Sequence, residues 1–207
     1  MISLRERIDV LEQDLVSEPM RMSAYHDLPF AIFCYDPENE YVLRKEISLL
    51  ATRIENKGKK VMSISLAQLM WEGIEATRGI SYVIETEERF GFKMAQTTVN
   101  NILSKLSPLP DMLEKRLEGL SPNKNVVFLT RAASLAPAIY RMSKLLDEMH
   151  GRIMVPIVLF YPGEKESENE LRFMGISGRE GIRDLPKNKL PIFQYENRIK
   201  FSNTLPR

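Results

Sequence analysis

Short apolar runs alternate with long stretches of helical periodicity along this chain, and that alternation leaves few folds open to it. Pro29–Tyr35 is a continuous apolar run, the composition of a strand buried on both faces. Val61–Leu66 gives a second strand, Asn125–Thr130 a third and Ile153–Tyr161 a fourth. Between the first two, Val42, Leu43, Ile47, Leu50, Ala51 and Ile54 share one face of a helix that ends near Lys57-Gly58. Residues 67–120 carry only helical periodicity, broken near Arg78-Gly79, Phe90-Gly91 and Ser107-Pro108, which predicts a helical insertion of three or four segments. Pro137 suits the first turn of a further helix carrying Ile139, Tyr140, Leu145, Leu146 and Met149. This order predicts an α/β fold, a mainly parallel sheet covered by helices, as a single domain over residues 1–207.

The ends of the chain are read separately. Leu4, Ile8, Leu11 and Leu15 form a narrow apolar stripe on a charged helix over residues 1–16. Such a stripe must be covered, either by the chain's own sheet or by a groove on another protein. Pro162-Gly163 is expected to close the fourth strand, Glu164–Glu170 to form a polar turn and Leu171–Met174 a short strand. Residues 176–191 read as a late loop rich in glycine and charge, and Phe193–Phe201 as a last strand at the sheet edge.

A sheet of this kind has a P-loop-NTPase-like or Rossmann-like layout, and ligands then sit at the carboxyl ends of its strands. Phosphate binding there requires a glycine-rich loop, whereas Asp36-Pro37-Glu38-Asn39-Glu40 follows the first strand. Proline removes a donor, and the carboxylates put negative charge where a phosphate would sit. These acids are read as helix caps rather than calcium ligands, because the loop lacks the required glycine and closing glutamate. The third strand ends in Thr130 rather than a magnesium-binding aspartate, and the spaced glycines of Gly175–Gly181 open no helix. One cysteine, Cys34, and two histidines, His26 and His150, give no closely spaced metal-binding pair. Cys34 reads as a small buried hydrophobe, His150 as a partner for a helix C-terminus, and no G-x-S-x-G elbow occurs. No enzyme activity, cofactor or metal is expected.

Net charge is +1, so no global field favours nucleic acid or membrane. Local basic clusters occur at Lys57-Gly58-Lys59-Lys60 and at Arg183, Lys187 and Lys189. The charged start Met1–Arg7 has no apolar signal core, and Pro156 interrupts the longest apolar stretch, so the expected address is cytoplasmic.

Three segments resemble the BrxB family. Leu28-Pro29-Phe30-Ala31-Ile32-Phe33, followed by Asp36-Pro37 and a long helix, is similar to its opening. Val126-Val127-Phe128-Leu129-Thr130 with a loop to Pro137 resembles its central strand. Val155-Pro156-Ile157-Val158-Leu159-Phe160-Tyr161-Pro162-Gly163-Glu164, followed by Leu171-Arg172-Phe173-Met174-Gly175, is similar to its strand, P-G-E turn and next strand. The likeness extends over residues 1–176, and the tail with Pro186 and Pro191 departs from the family's short ending.

The resemblance implies a small core component of BREX, bacterial systems that block phage DNA replication and mark host DNA by methylation. It implies no catalytic residues, and partners among the phosphatase-like PglZ, the large ATPase BrxC and the methyltransferase. The expected function is therefore a non-catalytic adaptor contacting PglZ and, further, BrxC, with nucleic acid reached only through the complex and no membrane contact. Candidate partner-binding residues are Leu4, Ile8, Leu11 and Leu15 on the first helix, with Tyr161, Pro162, Gly163 and Glu164 as a second surface. Two other readings stay open. One is a nucleotide-binding or hydrolytic protein using the strand-end crevice, with Asp36, Thr130 and Glu164 as polar participants. The other is a DNA-contacting accessory subunit using the late basic loop.

Overall fold

The computed structural model describes residues 3–18, 30–167 and 170–173, with the backbone alone at 136–137, 164–167 and 170–173. Helix α1 (Leu4–Val16) precedes β1 (Phe30–Tyr35), α2 (Glu40–Asn56) and β2 (Lys60–Ser65). The insertion is four helices, α3 (Leu66–Glu75), α4 (Gly79–Phe90), α5 (Phe92–Asn101) and α6 (Leu109–Leu117). Then come β3 (Asn125–Thr130), a short α7 (Ala136–Ile139), α8 (Met142–Met149), β4 (Ile157–Ser167) and β5 (Glu170–Phe173). The fold is α/β, as expected: four strands pair in parallel in the order β1-β4-β3-β2, and β5 runs antiparallel to the far half of β4.

Strand alternation divides the core in two. Phe30, Ile32, Val127, Leu129, Ile157 and Leu159 face the side covered by α3–α6 and α8. Ala31, Phe33, Tyr35, Val126, Phe128, Val158 and Phe160 face the side covered by α1 and α2. Both faces are dry, which is why β1, β3 and β4 read as continuous apolar runs. Phe160 meets Phe128 edge-on at 5.3 Å between ring centroids, and Phe33 tilted at 5.5 Å.

The chain's own sheet takes up the terminal stripe. Ile8, Leu11 and Leu15 have no exposed surface, and Leu4 packs at the edge of the same cluster. Ser3 opens α1 with a capping box shared with Glu6. Glu12 on α1 then pairs with Arg53 and Lys57 at 2.6 Å each, tying α1 to the end of α2. Burying three such side chains contributes about 5–9 kcal/mol as an upper bound. That rivals the whole stability of an ordinary domain, about 5–15 kcal/mol. These side chains are already covered by the chain's own sheet and α2, so the expectation of a free docking stripe is corrected.

Other boundaries moved for identifiable reasons. Val42 is exposed, because the buried face of α2 is the narrower set Leu43, Ile47, Leu50 and Ile54. Ser65 caps α3 by accepting from the Gln68 N–H at 3.3 Å, which takes Leu66 out of β2. The helix expected after Pro137 is interrupted between α7 and α8; there the Ile139 carbonyl accepts from Asn100 Nδ2 at 2.6 Å rather than continuing a helix. β4 starts at Ile157 and does not close at Pro162-Gly163. Pairing with β3 ends at Leu159 and with β1 at Pro162, and antiparallel pairing with β5 begins at Gly163. Proline, lacking an N–H, stands where the strand changes partners. His26, the late loop 176–191 with Arg183, Lys187 and Lys189, and Phe193–Phe201 lie outside the described residues. Among the described residues no helix is long and apolar enough to cross a membrane.

Candidate functional site

Two surface features stand out once the core is assigned. The first is a crevice of about 200 Å³ at the carboxyl ends of the parallel strands, lined by Pro37, Glu40, Arg44, Ala67, Arg131, Ala133, Ser134 and Pro162. The segments that follow β1, β2 and β3 line it, together with Pro162 within β4. On the β1 side, Asp36 accepts from the Glu38 N–H at 3.0 Å and starts the turn Pro37–Asn39 that leads into α2. One turn on, Glu40 Oε1 accepts from Arg44 Nε at 2.8 Å, while its other oxygen accepts from the Tyr35 hydroxyl. Burial first, and then that bond to Glu40, push the Tyr35 hydroxyl pKa far above its usual value. Both Glu40 oxygens are thereby engaged by partners on its own wall.

On the opposite wall Arg131 leaves β3 with φ of 59°, the only non-glycine among the described residues in the left-handed region. Its carbonyl is held by the Ser134 N–H at 3.1 Å and the Ser134 hydroxyl at 2.8 Å. Its guanidinium is exposed and, among the described residues, enters no hydrogen bond or ion pair.

The polar participants expected for a nucleotide or hydrolytic site are placed differently. The Asp36 carboxylate is spent on its cap, and Thr130 donates its hydroxyl to the Ile64 carbonyl at 3.4 Å. The side chain of Glu164 lies outside the described residues. Tyr161 is buried in the core, with its hydroxyl pKa pushed up mainly by burial, and Pro162 and Gly163 are buried too. The proposed second surface is therefore interior to the sheet, because β4 runs through it instead of turning. Cys34 is half-buried beside the α3–α8 core, and its carbonyl accepts from the Arg7 guanidinium. Among the described residues no group of three metal-ligating side chains converges. His150 is exposed at the C-cap of α8.

The second feature is an elbow in the insertion. Helix α4 buries Val83 and Thr86, and α5 buries Ala95 and Val99. Phe90 lies four residues beyond Thr86 and Phe92 three before Ala95, helical spacings that put both on the same faces as the buried residues. Yet they are bare: Phe90 is 68% exposed and Phe92 65%. Met94, Ile84 and Tyr82 add partly exposed apolar surface on the same pair of helices. Gly91 takes φ of 83°, which lets the chain reverse between two helices without a strained side chain. The sequence signal is an aromatic residue on either side of a glycine, each in phase with a buried helical face. Only the structure reveals that the two rings are left largely uncovered.

Residues 62–181 match the family described as BREX protein BrxB. A relative from Bacillus cereus (strain H3081.97), named BREX protein BrxB, is 25% identical over 167 residues, which is 79% of this chain and 86% of the relative. No solved structure matches the chain. The matched span contains the Phe90-Gly91-Phe92 elbow and the Arg131 wall of the crevice, whereas Glu40 and Arg44 precede it.

Proposed function

The chain belongs to the BrxB family and is a component of a BREX phage-defence system; within that system we propose that it is a non-catalytic adaptor, joining PglZ through the α4–α5 elbow and bringing it to BrxC. One observation carries the reading: two phenylalanines stand two-thirds bare at the turn between two helices, in phase with the buried face of each. Covering each of them contributes about 1–2 kcal/mol. Glu87, Glu88, Arg89 and Lys93 flank the tip, giving the apolar centre a charged rim. The elbow replaces the α1 stripe as the contact, because α1 is committed to the core.

The test is co-purification of the tagged chain from cells carrying the neighbouring BREX genes, followed by cross-linking. Phe90→Ser with Phe92→Ser is expected to lower PglZ recovery roughly 30-fold or more, a loss of about 2–4 kcal/mol. Thermal stability should stay at the native value. Native-level recovery of PglZ by the double variant would overturn the elbow as the contact. Turnover of a nucleotide or phosphoester by the purified chain alone would overturn the non-catalytic part.

A further inference from the structure

We propose that the strand-end crevice is a binding site for a compact organic oxyanion, a small molecule bearing a phosphate or carboxylate group, gripped by Arg131 and Arg44. The argument starts from a mismatch between backbone and side chain at residue 131. With φ of 59° the position favours glycine, and the Ser134 hydrogen bonds hold the turn whatever side chain stands there. The chain nevertheless places arginine at this point, and its guanidinium touches no partner among the described residues. A side chain that costs the backbone and forms no polar contact among the described residues points to a partner outside the fold.

The surroundings specify what that is. Glu40 lines the crevice, but Arg44 and the Tyr35 hydroxyl occupy both its oxygens, so among the described residues no carboxylate pairs with the Arg131 charge at the cavity. Arginine presents a planar fork of donors that matches phosphate and carboxylate oxygens. Pro37, Ala67, Ala133 and Pro162 supply an apolar floor for a short carbon body. About 200 Å³ is below the range of about 300–1,000 Å³ usual for drug-sized ligands, which points to a small molecule rather than a whole nucleotide. The turn after β1 still repels a phosphate at residues 36–38; the oxyanion sits against the β3 wall instead. This inference does not depend on the elbow or on PglZ.

The experiment is calorimetric titration of the full chain with inorganic phosphate and, separately, with acetate, against sodium chloride at matched ionic strength. At least one oxyanion is expected to bind saturably at millimolar concentration or tighter, and which one does so assigns the group. Arg131→Gly should weaken that binding roughly tenfold or more while the melting temperature holds or rises. Arg44→Gln should weaken it as well. Three results would each overturn the proposal: no saturable binding beyond chloride, native binding by Arg131→Gly, or a clear fall in that variant's melting temperature. The last would mean that the side chain serves the fold after all.

Discussion

Replacing Leu11 by alanine separates the two surfaces that compete for the role of partner contact. Leu11, on α1, has no exposed surface and packs in the same cluster as Leu50, Phe33 and Phe128. Truncating a fully buried leucine costs about 2–5 kcal/mol, the transfer term plus that of the cavity left behind. For a chain of this size each kcal/mol lowers the melting temperature by about 2–4 °C. A central value near 3 kcal/mol therefore predicts a fall of roughly 6–12 °C. In urea the midpoint should drop by about 1–2 M with an unchanged slope. At temperatures where the variant remains folded, PglZ recovery should be native. Phe90→Ser is the mirror image: stability within about 0.5 kcal/mol of native, because the side chain is mostly in water, and recovery reduced. Circular dichroism melts and pull-downs on the same preparations decide the matter. Leu11→Ala that melts at the native temperature yet loses PglZ would refute both the packing of α1 and the elbow as the contact.

Alkaline titration offers a second check. Tyr35, Tyr140 and Tyr161 have hydroxyl pKa values pushed well above their ordinary 10.0, by burial first; hydrogen bonds to Glu40 and Glu148 add to the shift at Tyr35 and Tyr140. Because the folded values lie above the unfolded one, this contribution to stability is intact below pH 10 and is lost as pH rises beyond it. Tyrosinate absorbance from these three should appear together with loss of circular dichroism; ionisation of all 7 tyrosines in a chain that stays folded would contradict their burial. Glu12→Gln should destabilise by about 1.5–3 kcal/mol, since it removes the charged end of contacts to both Arg53 and Lys57. Adding Arg53→Ala to Glu12→Gln should cost less than the sum of the single changes, and strict additivity would mean that the pair is not coupled.

Much of the architecture was legible because it depends on local patterns. Runs buried on both faces have no polar alternation, so β1 and β3 appear in the sequence nearly residue for residue, and the breaks at Gly79, Gly91 and Pro108 mark the ends of the inserted helices. The cap at Asp36-Pro37 was equally local. The strand exchange at Pro162-Gly163 was not, because whether that pair turns a chain or continues a strand depends on β5 arriving alongside.

The functional surfaces divide the same way. Periodicity shows that Leu4, Ile8, Leu11 and Leu15 must be covered, but what covers them depends on where β1 leads α2, a long-range matter of strand order. Phe90 and Phe92 keep the helical phase of buried residues, and only the tertiary packing of α4 and α5 leaves them bare. The family likeness in the strands is written in the amino acids themselves. The place of the crevice follows from the parallel order read in the sequence, but its lining belongs to tertiary structure, since Arg44 and Arg131 are 87 positions apart and come to line it together only when parallel pairing aligns the exits of β1 and β3 through β4.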